Sequence, residues 1–347
     1  MPATLTLIAV CALAGPLAQW AGLPLPYLLG PLLASALICS FARGWLPPQF
    51  KGLATLRLGF IGVIGVLIGA QVTAELFADT RLLALSFLAL MAFVPLCIAL
   101  NFALFHKMGQ YDRASAFYAA MPGGFYESIS FAESAGADPA RVILQQFLRI
   151  VLIVTLLPIG LSLWLGAPVG SAGGMSLARG DTSWSGLMIV LGAILAGIAL
   201  GQALRLPAGH LTGPMAVGAA LSLSGVVTPE LPQWLIDLAL IVVGTALGTR
   251  FYGLSRAQLG HGAGLAALSV AGMMALATLI AMVLAHQTGQ NFDLLLVSFA
   301  PGGATEMTLI ALSLAGNPAL VTLHHVVRIL LTVLVMAGSA RWVHKGL

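Results

Sequence analysis

The sequence predicts an all-α polytopic membrane protein made of two homologous halves. Charged residues are only 7% of the chain and hydrophobic residues are 59%, whereas soluble domains carry roughly 25% charged residues. The mean hydropathy is +1.02, which is typical of a chain that lives in a lipid bilayer. A motif that occurs twice indicates the two halves. The 347 residues suffice for about ten helices of ~20 residues each.

Ten apolar runs are interpreted as membrane helices, five in each half. The run at 4–22 is interpreted as a retained helix and not as a signal peptide, because no Lys or Arg precedes it. The first half contains the runs 4–22, 25–42, 54–74, 82–105 and 140–165, and the second half contains 186–204, 210–227, 232–249, 263–285 and 319–340.

The duplication is clearest where 121–154 aligns without a gap with 300–333, at an offset of 179 residues. Both segments contain Pro-Gly-Gly, a Glu three residues later and an Arg twenty-two residues after that Glu. The glycine pairs Gly65/Gly69 and Gly244/Gly248 also match, and their spacing indicates close helix packing. We therefore predict a first membrane repeat over 1–165, a Gly/Ser-rich linker over 166–184 and a second membrane repeat over 185–347.

Each Pro-Gly-Gly segment is predicted either to cross the membrane as a broken helix or to form a re-entrant hairpin. Thirteen Lys and Arg residues remain when Arg149 and Arg328 are set aside. With hairpins and a cytoplasmic N-terminus the two halves are inverted, and 11 of these residues lie on the cytoplasmic side. With full crossings, 8 lie on the cytoplasmic side and 5 on the other side. The hairpins, and hence inverted repeats of five transmembrane helices each, are favoured because cytoplasmic loops are enriched in Lys and Arg. The eleven are Arg43, Lys51, Arg57, Lys107, Arg113, Arg141, Arg205, Arg250, Arg256, Arg341 and Lys345.

The doubled arginines are predicted to lie in the interior of the protein. Arg149 follows Pro139, the expected start of its helix, by ten residues, which is about 15 Å along the helix. Arg328 occupies the same position in the second half. A lone charge at this depth costs at least ~2.5–3.5 kcal/mol, so each arginine needs a partner, and Glu127 and Glu306 are the carboxylates available.

A polar residue lies four positions before each arginine, on the same helix face. Gln145 in the first half does not titrate, whereas His324 in the second half could carry a proton. Two interpretations remain open: the Glu and Arg residues form structural ion pairs that lock the hairpins, or they form a substrate or proton site. The predicted substrate-binding residues are Pro122, Gly123, Gly124, Glu127, Gln145, Arg149, Pro301, Gly302, Gly303, Glu306, His324 and Arg328.

Other kinds of site find no support in the sequence. The seven histidines form no convincing ligand set, so we predict no metal site and no cofactor. Because no P-loop, Rossmann fingerprint or nucleophile elbow occurs in its required context, we predict that the protein is not an enzyme. No Lys/Arg-rich segment is present to bind nucleic acid. The three cysteines are isolated in apolar runs and are expected to pack as small hydrophobic residues.

The doubled Pro-Gly-Gly, Glu and Arg signature, together with the segments "LPYLLGP" and "LTGP", resembles the AbrB family of bacterial inner-membrane proteins. The resemblance covers nearly the whole chain. Members of that family are described as regulators of gene expression and others as ammonia monooxygenases. The family shares its name with a small soluble DNA-binding regulator, which this chain does not resemble.

We predict a secondary transporter of a small anionic or zwitterionic solute, bound near the midplane at the doubled motif. The alternative is a non-transporting membrane sensor that regulates gene expression indirectly, and a membrane monooxygenase is third and disfavoured. The expected location is the bacterial inner (plasma) membrane, with both termini cytoplasmic. The expected partners are membrane lipid and the solute, possible homo-oligomerisation is left open, and no nucleic acid is expected.

The inverted arrangement predicts how single cysteines would react with a membrane-impermeant thiol reagent. A cysteine next to Gly123 and one next to Gly302 should be labelled from opposite faces, because the two hairpins enter from opposite sides. Labelling of both from the same face would contradict the inversion.

Overall fold

The structure, a computed structural model, is helical and contains no strand in the residues that it describes, which confirms the all-α fold class. These residues are 2–41, 46, 53–70, 72, 79–167, 169, 184–206, 209–225, 231–252, 256–314 and 316–344. The helices are α1 (Pro2–Ala12), α2 (Ala14–Trp20), α3 (Pro26–Phe41), α4 (Ala54–Gly69), α5 (Thr80–Ala103), α6 (Arg113–Ala119), α7 (Phe125–Ser134), α8 (Pro139–Leu165), α9 (Trp184–Ala203), α10 (Gly209–Leu223), α11 (Gln233–Gly248), α12 (Arg256–Thr288), α13 (Phe292–Phe299), α14 (Ala304–Ser313) and α15 (Pro318–His344).

Six helical segments are long and apolar enough to cross a membrane, which fits a polytopic membrane protein. The count of ten spans stays a prediction, because other apolar helices, such as α3, are shorter. The ends of the predicted runs 54–74 and 210–227, and nearly all of the linker 166–184, lie outside the described residues. The six segments are Thr80–Met108, Pro139–Leu165, Trp184–Ala203, Gln233–Phe251, Gly262–Thr288 and Pro318–Ser339.

The chain forms two compact units, and each unit takes segments from both predicted halves. Two pairs of helices at matching positions have equal lengths: α7 and α14 have 10 residues each, and α8 and α15 have 27 each. The repeat boundaries and the inversion remain predictions. The first unit comprises Met1–Leu76, Thr155–Leu254 and Thr308–Ala319, and the second comprises Phe77–Val154, Ser255–Met307 and Leu320–Leu347.

In the first unit, helices of the two halves cross at glycines. A β-carbon at Gly244 of α11 would collide with the carbonyl oxygen of Leu28 on α3. A β-carbon at Gly65 of α4 would lie 2.5 Å from the carbonyl oxygen of Leu211 on α10. Since only glycine permits backbones to approach this closely, the packing role predicted from the glycine spacing is confirmed.

The second unit contains the long helices α5 and α12 and both Pro-Gly-Gly turns. Buried Ser269 of α12 donates a 2.8 Å hydrogen bond to the side-chain oxygen of buried Asn101 on α5. The short helix α6 packs against α5, and the short helix α13 packs against α12. Each short helix ends just before a Pro-Gly-Gly turn, because proline has no N–H to continue the helical hydrogen bonds.

The glycine crossing in the first unit predicts opposite effects for two Gly→Ala substitutions. Gly244→Ala should destabilise the protein by about 1–3 kcal/mol, because its methyl group has no space. Gly192→Ala on α9 should be neutral or stabilising by up to about 1 kcal/mol, since no atom lies within 4 Å of that methyl group and alanine favours a helix. Thermal unfolding in detergent measures both. Equal effects would contradict the crossing.

Candidate functional site

Both short helices of the second unit end in backbone carbonyl groups that have no helical partner. The first break lies at Met121, after α6, and the second lies at Ala300, after α13. The two positions are separated by the same 179 residues that separate the halves. Helix ends carry unpaired carbonyl groups and a partial negative charge, so they attract cationic donors.

Arg149 supplies such a donor to the first break. It lies on α8, is 5% exposed, and its Nη1 donates a hydrogen bond to the carbonyl oxygen of Met121. Its Nε is buried and has no hydrogen-bond partner among the described residues. The guanidinium group therefore stabilises the end of α6 and keeps one donor uncommitted.

Arg328 on α15 does the same at the second break. It is 1% exposed, and its Nη1 donates to the carbonyl oxygen of Ala300 at 2.6 Å and reaches that of Phe299 at 3.5 Å. Its Nη2 donates to the carbonyl oxygen of Gly302 at 2.9 Å. In the described part of the chain its Nε also has no partner. The equivalent arginines thus bind equivalent backbone positions.

The two glutamates lie at equivalent helix starts. Glu127 and Glu306 lie in the first turns of α7 and α14, where each side chain folds back over the second glycine of its own turn, Gly124 or Gly303. An acidic group is favoured there because a helix N-terminus carries a partial positive charge. Within the described ranges, the partner that the structure shows for Arg149 is the carbonyl oxygen of Met121, and the Glu–Arg ion pairs stay a prediction.

Gln145 and His324, which precede the arginines by one helical turn, have different neighbours. Gln145 Nε2 donates to the hydroxyl of Tyr111 at 2.9 Å and to the carbonyl oxygen of Gly262 at 3.4 Å. The ring of His324 packs near those of Phe87 and Phe299, with centroid distances of 5.2 and 5.8 Å. The equivalent residues therefore have different surroundings, one polar and one largely aromatic.

Gln146, which the sequence did not single out, has a more direct role than Gln145. It is fully buried, and its Nε2 lies 3.0, 3.4 and 3.1 Å from the carbonyl oxygens of Tyr118, Ala119 and Met121. Gln146 and Arg149 therefore both hold the end of α6. Their i,i+3 spacing, which also places two side chains on one helix face, is the signal that could have revealed the pair.

The first break lies close to both arginines. Met121 accepts from Arg149, and a β-carbon at Gly123, two residues later, would lie only 3.6 Å from Nε of Arg328. The two guanidinium groups repel each other electrostatically, and the buried thiol of Cys97 interacts with both. We call Arg149, Arg328 and the carbonyl groups they bind the arginine site.

All twelve predicted site residues lie in the second unit, but only some of them join the arginine site. Arg149, Gly302 and Arg328 do so through the contacts above, and Gly123 lies beside Arg328. No group of three or more His, Cys, Asp or Glu residues suited to a metal ion occurs in the described ranges. The other members form the breaks or the adjoining helix starts, or lie elsewhere in the unit: Pro122, Gly124, Glu127, Gln145, Pro301, Gly303, Glu306 and His324.

Comparison with known proteins identifies a family model and two relatives that match this chain. A family model named AbrB, with the description "Transition state regulatory protein AbrB", matches residues 50–344. A Bacillus subtilis (strain 168) protein named "Uncharacterized protein YhjN" is 23% identical over 354 aligned residues, covering 97% of this chain and 92% of that protein. An Escherichia coli (strain K12) protein named "Putative regulator AbrB" is 24% identical over 321 residues, covering 92% of this chain and 90% of that protein.

The contacts of Gln146 predict a stability effect. Gln146→Leu should lower the free energy of unfolding by about 1–3 kcal/mol, because buried carbonyl groups lose a donor. Gln202→Leu, at an exposed position of α9, is the matched control and should change it by less than about 0.5 kcal/mol. Thermal unfolding in detergent distinguishes the two, and a neutral Gln146→Leu would contradict the role assigned to this side chain.

Proposed function

This chain belongs to the AbrB family, and we propose that it is a secondary transporter whose arginine site binds a small anionic or zwitterionic solute. The main observation behind the proposal is that two buried arginines each donate hydrogen bonds to carbonyl groups at a helix break. Carbonyl dipoles stabilise a guanidinium group but carry no net charge. Two buried positive charges that repel each other therefore favour the binding of an anion between them or beside them.

The donor geometry supports a carboxylate-like or phosphate-like group as the feature recognised. A guanidinium group offers five N–H donors in a rigid fork that matches two oxygens of such a group. Each arginine keeps its Nε uncommitted within the described residues. A solute oxygen that accepts from these Nε groups would satisfy two donors that the protein leaves without partners.

The breaks in the backbone support transport. Transporters commonly place solute sites at discontinuous helices, where side chains and solute complete the hydrogen bonds of interrupted backbone. Here each break is held by arginine contacts that a bound solute could replace.

We further propose that the protein lies in the bacterial inner membrane with cytoplasmic termini and is surrounded by membrane lipid. We propose no nucleic-acid partner and no enzymatic activity, and leave possible homo-oligomerisation open.

A non-transporting sensor remains the second candidate. The name of the Escherichia coli relative, "Putative regulator AbrB", favours a regulatory role for that protein. A sensor with the same arginine site would bind the solute and pass its state to a partner without moving the solute. Binding therefore tests the site, and flux separates the two functions.

The arginine site predicts selective ligand loss in two variants. Small carboxylates, phosphates and amino acids are screened for a rise in the thermal unfolding midpoint of the detergent-solubilised protein. Arg149→Met and Arg328→Met should weaken binding of the best anion roughly ten- to hundredfold, because charge-assisted hydrogen bonds contribute about 1.5–3 kcal/mol. Arg141→Met, at an exposed residue paired with Asp138 at 3.2 Å, should retain wild-type affinity.

Loss of binding in the Arg141→Met control, or anion binding that ignores both buried arginines, would contradict the proposed site. For transport, the best anion is loaded in radiolabelled form into proteoliposomes that contain the protein. Wild type should exchange it with external unlabelled anion, and Arg149→Met and Arg328→Met should not. Binding without exchange would overturn transport and support the sensor.

A further inference from the structure

The two breaks are held by different sets of donors. At the first break Gln146 and Arg149 both donate to Met121. At the second break Arg328 is the donor to the Ala300 carbonyl oxygen that the described residues show. The position equivalent to Gln146, at the same offset of 179, is occupied by His325. A permanent amide donor in one half is thus replaced in the other by a residue that can gain and lose a proton.

The Nε2 atom of His325 does not donate a hydrogen bond in the neutral ring. Its Nδ1 lies 2.9 Å from the carbonyl oxygen of Val321, one turn back on α15. Because a carbonyl can only accept, Nδ1 carries the hydrogen, and Nε2 of the neutral ring carries a lone pair. His325 is fully buried, and its Nε2 finds no hydrogen-bond partner among the described residues.

The repeat indicates the carbonyl group for an alternative contact. Gln146 reaches the carbonyl oxygen of Met121, and Ala300 occupies the position equivalent to Met121. A lone pair at Nε2 cannot bond to that carbonyl oxygen, but an Nε2–H can. Protonation would therefore give His325 the same kind of contact that Gln146 makes with Met121.

We propose that His325 is the proton-binding residue of the arginine site: when protonated, its Nε2–H donates to the Ala300 carbonyl oxygen and releases Arg328 to the anionic solute. The inference rests on the proposed function, because it gives that site its coupling ion. One proton and one anionic charge enter together, so the solute compensates the added positive charge. Without the proton, Arg328 stays on the carbonyl groups and the solute binds weakly.

The groups around His325 link its protonation to the anion. Arg328 and His324, both on α15, oppose a positive charge on its ring, so a protonated ring and Arg328 repel each other at the shared carbonyl group and an anionic charge compensates the added proton. From the neighbouring helices, Arg149 on α8 and Cys97 on α5 act on Arg328. His324 is the matched control, because its ring packs near two phenylalanine rings.

A nuclear magnetic resonance titration tests the exchange without knowledge of the solute. The full chain is reconstituted in lipid nanodiscs with 15N-labelled histidine and arginine, and spectra are recorded from pH 8 to pH 4. The His325 signal is assigned as the one lost in His325→Gln. On acidification its Nε2 should move upfield to the N–H range, and the Arg328 guanidinium signal, assigned by Arg328→Met, should shift with the same midpoint.

The variants separate this inference from the proposed function. His324→Gln should keep the coupled shift of His325 and Arg328. His325→Gln, which reproduces the amide of the first half, should leave the Arg328 signal insensitive to pH.

A His325 ring that stays neutral to pH 4, or an Arg328 signal that moves while the His325 signal does not, would overturn the inference. Neither result depends on anion binding, so the anion screen above still decides the proposed function separately. If His325→Gln fails to fold, His325→Asn assigns the signal in its place.

Discussion

A buried guanidinium group needs partners wherever water is excluded, and here it finds them at the ends of broken helices. Each break exposes carbonyl groups that a continuous helix would have used, and Arg149 and Arg328 reach them from the helices that follow. The arginines provide donors for the carbonyl groups that the breaks leave unpaired, and these carbonyl groups stabilise the buried positive charges. Removal of either partner leaves the other unsatisfied.

This arrangement separates the positive and negative charges of the doubled motif. Glu127 and Glu306 lie at helix starts, where the helix dipole favours a carboxylate, whereas the arginines lie at the ends of other helices. In the contacts that the described residues show, the arginines and the glutamates each complement a helix end. The positive field of Arg149 and Arg328 then acts on a ligand beside them. The helix starts, by contrast, already hold their own acidic groups and attract an anion less than helix starts without an acidic group would.

The importance of the two arginines could be predicted because a charge inside an apolar run stands out, and the offset of 179 doubles the signal. Their partners could not be predicted, since every residue carries a carbonyl group and the sequence does not show which one is left free. Gln146 was overlooked in favour of Gln145 because i,i+3 and i,i+4 neighbours share one helix face. The compact units were equally hidden, because the contact of Gly65 with Leu211 joins residues far apart in the chain.

The central claim is that both arginines serve one solute, and a double-mutant cycle tests it most directly. The dissociation constant of the anion that best stabilises the protein is measured for wild type, Arg149→Met, Arg328→Met and the double variant. If both side chains hold the same anion, the double variant should lose less affinity than the product of the two single losses, with a coupling energy above about 0.5 kcal/mol. Losses that multiply without coupling would show that the two arginines act independently, and would contradict a shared site.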